Sequence, residues 1–381
     1  MASLGILHLT TFLQGGAGRA IADLACAQRA AGHRVTVVTS ETAHGEFGNY
    51  QEYLDRLQAA DVALHVCDSL FSRDLALNMQ VLEFLRAAID LQAVDIVHAH
   101  AAVPAFIGGL FIGGERSRVP LIQTQHGWGI NKTPEQAAFD LDILRQVDRV
   151  ITTSQATADL LAVRGTPVET MSVIPCGLAS DEEEELPPEA AAVEARRAAG
   201  QKVVGCIGSV TLNKNQLLLL HALQSVDAGV VAVFLGEGSE RLLERAMEMG
   251  VEGRVIACGY QPHASRWLRL FDLLVVPSLT EGQGLVVIEA FRAGVPVVAS
   301  DIPAMLELID DGRTGWLFEG ESASSLAAAM RRGLSATPWG RHAIVLAAKE
   351  RFETQFTIEA MVARHEALYA AVRQPAKSEL F

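Results

Sequence analysis

The stretch from Pro277 to Gly294, Pro-Ser-Leu-Thr-Glu-Gly-Gln-Gly-Leu-Val-Val-Ile-Glu-Ala-Phe-Arg-Ala-Gly, constrains this chain more than any other. The apolar run ending at Val276 reads as a buried strand, Pro277 to Gly284 as a loop, and Leu285 to Ala293 as a short helix stopped by Gly294. A glycine-rich loop that feeds a helix start is an anion site. The backbone N–H groups near Gly284 and Leu285 face outward there, and the positive end of the helix dipole favours a phosphate. Glu281 lies in the loop, and Glu289 follows Leu285 by four residues, on the same helix face. Because helical side chains lean toward the N-terminus, Glu289 is aimed back at whatever the loop holds. A carboxylate only accepts hydrogen bonds, which suits it to pairs of hydroxyls on a ribose or sugar. Phosphate at the amides and hydroxyls at the carboxylates describe a nucleotide sugar. The spacing alone equally suits an ordinary strand, loop and helix with one capping and one solvated glutamate, so the rest of the chain decides.

The same unit recurs at the start of the chain. Leu4 to Thr10 reads as a strand, Gln14 to Gly18 as a glycine loop, Arg19 to Ala31 as a helix and Val35 to Thr39 as a second strand. This is the alternation of a doubly wound parallel sheet. The loop lacks G-x-G-x-x-G spacing, which argues against an NAD-dependent oxidoreductase. Ala93 to His98 and Pro120 to Thr124 are further strands, and His98, His100 and His126 emerge where they end. In open α/β sheets, ligands gather beyond the carboxyl ends of strands. Asp140 and Asp142 suggest a metal pair, but they fall two apart in a helical stretch, Glu135 to Gln146, and so point in different directions. No metal site is expected.

At 381 residues the chain exceeds one typical core. The run Asp181 to Glu185 and the pair Pro187-Pro188 mark a solvated linker, after which Val203 to Gly208 restarts the strand pattern. Lys214 stands just before the leucine-rich helix Gln216 to Leu223, where its ammonium and the helix start could address one anion together. A net charge of −14 argues against a nucleic-acid partner, and no polybasic patch is evident, so membrane association would be at most peripheral. The five cysteines are widely spaced, without metal-ligand spacing, and read as reduced thiols. The N-terminus begins directly with strand-like sequence, without a charged n-region and apolar h-region, and a cytoplasmic location is expected.

The pattern Glu281-Gly-x-Gly-Leu-x-x-x-Glu289 resembles the signature of the family-4 retaining glycosyltransferases, which have the GT-B fold. Asp95-Ile-Val-His-Ala-His100, Thr124-Gln-His-Gly127, Ile174-Pro-Cys-Gly177 and Thr314-Gly-Trp-Leu-Phe318 resemble other segments of that family. Gly208-Ser-Val-Thr-Leu-Asn-Lys214 resembles its Gly-Arg-x-x-x-x-Lys loop, with Ser209 in the arginine's place. Cys176 replaces an asparagine and Gln283 a phenylalanine.

The resemblance implies an α/β GT-B architecture of two Rossmann-like doubly wound domains facing a central cleft. An acceptor-binding domain would span 1–178, an acidic linker 179–198 and a nucleotide-sugar domain 199–350. A helix in 351–381 would cross back to the first domain. It implies transfer of a sugar, with retention, from a UDP-sugar or GDP-mannose to a glycan, lipid-linked or small-molecule acceptor, without metal or cofactor. His126, Glu281 and Lys214 would be catalytic. Gly16, Ser209, Lys214, Glu281, Gly282, Gln283, Gly284, Leu285 and Glu289 would bind donor, with Gly15 and His100 at the acceptor side or cleft. A sugar-nucleotide epimerase on the same fold, and a non-catalytic nucleotide-sugar-binding subunit, are the alternatives.

Overall fold

Runs that are apolar at every position, rather than every second one, make strands buried on both faces, and such strands pair in parallel beneath helices. The computed structural model describes residues 3–41, 47–70, 72–113, 119–179 and 185–373. By contacts the chain splits into two units, Met1–Ala179 with Thr357–Phe381, and Ser180–Phe356. The first unit contains β1 (Gly5–Leu9), β2 (Arg34–Ser40), β3 (Ala63–Cys67), β4 (Ile96–Ala99), β5 (Leu121–Gln125), β6 (Arg149–Thr152) and β7 (Met171–Val173). They form one parallel sheet in the order β3-β2-β1-β4-β5-β6-β7. The second unit contains β8 (Lys202–Ile207), β9 (Val230–Leu235), β10 (Val255–Ala257), β11 (Leu273–Val276), β12 (Val297–Ser300) and β13 (Trp316–Phe318), parallel in the order β10-β9-β8-β11-β12-β13.

Strand order therefore reverses once in each sheet, between β1 and β4 and between β8 and β11. At such a point the two following connections leave to opposite faces and open a crevice at the carboxyl ends of the strands. The strongest sequence signals lie at these two places. Glu281 follows β11 and Lys214 follows β8, while His100 follows β4.

Some boundaries differ from expectation. The helix after β1 starts at Gly15, not at Arg19, so Gly15 and Gly16 lie in its first turn and not in a loop. The small residues permit this by close packing: a Cβ on Gly18 would lie 2.4 Å from the Leu13 carbonyl carbon. The linker expected over 179–198 is also shorter. Pro188–Ala190 forms a 3-10 turn and Ala191–Ala198 a helix, whose Val193 is fully buried. Alanine, glutamate and arginine are good helix formers, and one buried apolar residue anchors the turn to the second unit. Residues 181–184 of the acidic run lie outside the described residues.

At the C-terminal end, 351–355 complete the helix Pro338–Gln355 of the second unit, and the helix Ile358–Arg373 belongs to the first. The Ile358 N–H donates to the Leu178 carbonyl at 3.0 Å, and a Cβ on Gly177 would stand 2.1 Å from the Thr357 carbonyl oxygen, so glycine is needed for that approach. Tyr369 is fully buried, and Arg373 pairs with Asp95 at 2.8 Å. Residues 374–381 lie outside the described residues.

One glycine in the second sheet makes a sharp stability prediction. A Cβ on Gly205 of β8 would fall 2.0 Å from the Phe271 ring, which is itself 4% exposed and closely held. Gly205→Ala should therefore cost about 1–3 kcal/mol by overpacking. Thermal melting of the variant checks this, and an unchanged transition would mean that the ring is free to move.

Candidate active site

In the second unit the loop after β11 ends at Gly284, the N-cap of the helix Leu285–Ala293, in a left-handed conformation with φ 90°. The left-handed backbone favours glycine there, and a Cβ would also press on the flexible end of Met305, 2.2 Å from its Cε. Gly294 closes the helix, again left-handed with φ 71°. The first N–H groups of a helix have no acceptor within it, so Leu285 and its neighbours offer donors at the crevice.

The loop after β8 is tied to this one. Asn213 Nδ2 donates to the Thr280 carbonyl at 3.0 Å, Thr280 Oγ1 donates to Asn213 Oδ1 at 2.7 Å, and the Leu279 N–H donates to the Asn213 carbonyl at 2.8 Å. This stitching brings Lys214 Nζ to 2.6 Å from Glu281 Oε1, an oxygen that also accepts from Ser278 Oγ at 2.7 Å. The Lys214 side chain keeps 32% of its exposure, so the pair is partly open to solvent. Glu289 and Gln283 are buried at 8% and 6% exposure, while Gly282 and Leu285 are half-buried. Ser209 is half-buried, and its carbonyl accepts from Gln216 Nε2 at 3.0 Å. Lys214, Glu281, Gly284 and Leu285 are thus gathered around one helix start. Ser278, Asn213 and Thr280, which hold them, carried no signal of their own in the sequence.

In the first unit the structure gathers more histidines than the motifs named. His8 of β1 is in register with His98 of β4, and both are fully buried. His126 Nε2 lies 3.1 Å from His100 Nδ1, and His100 Nε2 lies 3.0 Å from His8 Nδ1. His8 Nε2 is 2.7 Å from Gln28 Oε1, and Gln28 Nε2 is 3.3 Å from the Tyr369 hydroxyl. That hydroxyl is 2.7 Å from His98 Nδ1, whose Nε2 is 2.7 Å from Thr124 Oγ1. His365 donates from Nδ1 to the Met361 carbonyl at 2.8 Å, its ring 5.6 Å from that of His98. Burial holds His8, His126 and His365 down to about 4, and His98 and His100 well below the usual imidazole range, so these rings are neutral at pH 7. His100, Thr124, His126, Cys176 and His365 line a small pocket. Burial pushes the Cys176 thiol up to about 12, which leaves it inert.

Among the described residues, His8, His98 and His100 form the one group with nitrogens close enough to share a metal, and every ring nitrogen of the three already has a protein partner. Asp140 is held by Arg73 at 2.7 Å and by Lys132, and Asp142 pairs with Arg145 at 2.9 Å. The two aspartates thus serve separate ion pairs. Gly15 and Gly16 are placed at the start of the helix after β1, next to the point where the first sheet reverses. No helix among the described residues is long and apolar enough to cross a membrane.

Comparison with known proteins gives a consistent answer. Residues 14–182 match the family model "Glycosyltransferase Family 4", and residues 201–336 match "Glycosyl transferases group 1". The D-inositol 3-phosphate glycosyltransferase of Nocardia farcinica is 29% identical over 264 residues, 62% of this chain and 58% of that protein. The lipopolysaccharide core biosynthesis mannosyltransferase LpsB of Rhizobium meliloti is 31% identical over 184 residues, 45% of this chain and 50% of that protein. The chain thus spans between half and three fifths of the length of these two relatives. Among solved structures, Anabaena HepE in complex with UDP-glucose superposes with a TM-score of 0.81, covering 97% of this chain and 100% of that one at 20% identity, a likeness of fold. Two family models that between them take in every strand of the two parallel sheets but β1, on a fold shared with solved relatives, make this chain a member of the family-4, group 1 glycosyltransferases, with the two-domain Rossmann-like GT-B fold.

Proposed function

We propose that this protein is a metal-independent retaining glycosyltransferase that takes a sugar from a nucleotide diphosphate sugar, a UDP-sugar or GDP-mannose, and gives it to a hydroxyl of an acceptor. The observation that carries the reading is the 2.6 Å approach of Lys214 and Glu281 beside the start of the helix Leu285–Ala293, across the reversal point of the second sheet. The names of the relatives, a glycosyltransferase and a mannosyltransferase, and the UDP-glucose held by a protein of the same fold, support it.

In this reading the diphosphate accepts from Lys214 and from the first N–H groups of the helix. Charge that builds on it as the glycosidic bond breaks is met by donors already in place. Glu281, fixed by Ser278, takes hydroxyls of the sugar, and Glu289 those of the ribose. The acceptor hydroxyl attacks the face that the diphosphate leaves, through a short-lived ion pair, and its proton passes to the oxygen of the departing diphosphate, with no protein nucleophile in the step. Gln283 adds a polar side chain near the sugar that bears on donor choice.

Incubation with UDP-sugars and GDP-mannose and a panel of hydroxylated acceptors tests the proposal. Nucleotide diphosphate should be released together with a product of unchanged anomeric configuration. An isomerised sugar without acceptor would mean an epimerase. Donor binding without turnover on any acceptor would mean a binding subunit, a reading favoured by Ser209 in place of a cation.

Two variations sharpen the test. Glu289→Ala should weaken donor binding by about tenfold to a hundredfold, the value of one charge-assisted hydrogen bond; unchanged affinity by calorimetry would remove Glu289 from the ribose. Treatment with a chelator should leave the rate intact, since Lys214 and the helix amides carry the charge; a rate abolished by chelator and restored by magnesium would reverse that assignment.

A further inference from the structure

The buried polar groups of the first unit form one chain in which each member fixes the next. Neutral imidazole has one N–H and one bare nitrogen, so a ring with partners on both sides donates on one side and accepts on the other. Gln28 stands in the middle. Its oxygen is 2.7 Å from His8 Nε2, and its nitrogen 3.3 Å from the Tyr369 hydroxyl. With the amide turned over, the first contact would be a short N–H to nitrogen bond and the second an O–H to oxygen bond well beyond the usual range of about 2.5–3.0 Å. The distances therefore select the amide oxygen toward His8.

From that choice the rest follows. His8 donates from Nε2 to Gln28 and accepts at Nδ1 from His100 Nε2, and His100 accepts at Nδ1 from His126 Nε2. On the other side Gln28 Nε2 donates to Tyr369, whose hydroxyl donates to His98 Nδ1, and His98 Nε2 donates to Thr124. His126 is half-buried, and its remaining nitrogen, Nδ1, has no hydrogen-bond partner among the described residues. We propose that Gln28, acting through His8 and His100, is a positioning residue that sets the tautomer of His126, so that His126 presents a bare Nδ1 as acceptor for a substrate hydroxyl. The tautomer stands on this geometry alone; its use for a hydroxyl rests on the glycosyl-transfer reading above.

Removing the amide should invert the chain. Without Gln28 Oε1, an Nε2–H on His8 would be a buried donor with no acceptor, which is worse tolerated than a bare nitrogen. His8 should then donate from Nδ1 to His100, His100 from Nδ1 to His126, and His126 would carry its proton on Nδ1, facing the hydroxyl with a donor.

Long-range proton–nitrogen correlation on the ligand-free protein with 15N-labelled histidine reads every tautomer directly. In the wild type, His8, His98, His100 and His126 should be Nε2–H, and His365, bonded through Nδ1 to the Met361 carbonyl, should be Nδ1–H. Gln28→Leu, and Gln28→Met as a variant closer in length, should convert His8, His100 and His126 to Nδ1–H and lower kcat/KM by about tenfold, the size of one misplaced hydrogen bond. A wild-type His126 that is Nδ1–H or doubly protonated at pH 7.5 would overturn the proposal, and it decides the matter even if both variants fail to fold. So would variants whose His126 stays Nε2–H, or a stoichiometric transition metal on His8, His98 and His100. Inversion of His126 with undiminished kcat/KM would refute its use toward a hydroxyl. Failure of the glycosyl-transfer reading would show separately, as wild-type protein without turnover but with the expected spectrum.

Discussion

Lys214→Ala should lower the rate of glycosyl transfer by about two to three orders of magnitude, the range for loss of one preorganised donor to a developing anion. Lys214 Nζ stands 2.6 Å from Glu281 Oε1, so the lysine that the proposal sets against the leaving diphosphate also neutralises a neighbouring carboxylate. Alanine removes the cation and leaves Glu281 with the Ser278 hydroxyl as its partner, a negative charge beside the site meant for another. The defect should therefore exceed that of losing a cation alone, and the double variant Lys214→Ala/Glu281→Gln should recover part of the binding while remaining slow. Lys214→Arg should retain partial activity, since guanidinium keeps the charge but not the point geometry. Ser209 raises the stake on Lys214, because the arginine that would share this load is absent from that position. Single-turnover rates with saturating donor check the prediction; near-normal rates in Lys214→Ala would move the diphosphate elsewhere.

The second large effect is acid lability. His8, His126 and His365 are held at about 4 in the folded chain, chiefly by burial, against about 6.5 when unfolded. Between those values the unfolded chain binds more protons than the folded one, so stability falls as pH drops through this window and is fully present above it. Each such ring contributes up to about 1.4 kcal/mol per pH unit, and three together about 4 kcal/mol per unit at most. His98 and His100 shift in the same direction. The influences on these five rings come from burial, from each other, from Gln28 and from the Met361 carbonyl, and none is a carboxylate that would offset the loss. Against a typical total of about 5–15 kcal/mol, the first unit should unfold well above pH 4. Denaturant titrations from pH 7.5 to 4.5 measure this, and a flat profile through pH 6 to 5 would mean that the rings are hydrated or already charged.

What could be read from the chain depended on how local the determinant was. Gly284 and Gly294 bracket a helix because both take a left-handed backbone, and that punctuation is visible in residue type alone. The runs of β8 and β11 betray parallel strands because, after Lys202 at the edge of β8, no position in them alternates to polar. Lys214 and Glu281, 67 residues apart, could be assigned to a common anion, but their direct pairing depends on β8 and β11 being neighbours. The glycines after β1 suggested a loop where the close approach to Leu13 allows a helical turn. The bond from Gln28 to Tyr369 joins residues 341 apart and left no local mark. One imidazole in an apolar strand, His8 reads as core from the sequence; its meaning comes from its register with His98.

A crystal structure of the protein with its preferred donor tests the central claim most directly. The diphosphate should lie within about 3 Å of Lys214 Nζ and of the N–H groups that open the helix Leu285–Ala293, with the ribose hydroxyls on Glu289. A donor bound with its diphosphate away from Lys214 and that helix start would contradict the account.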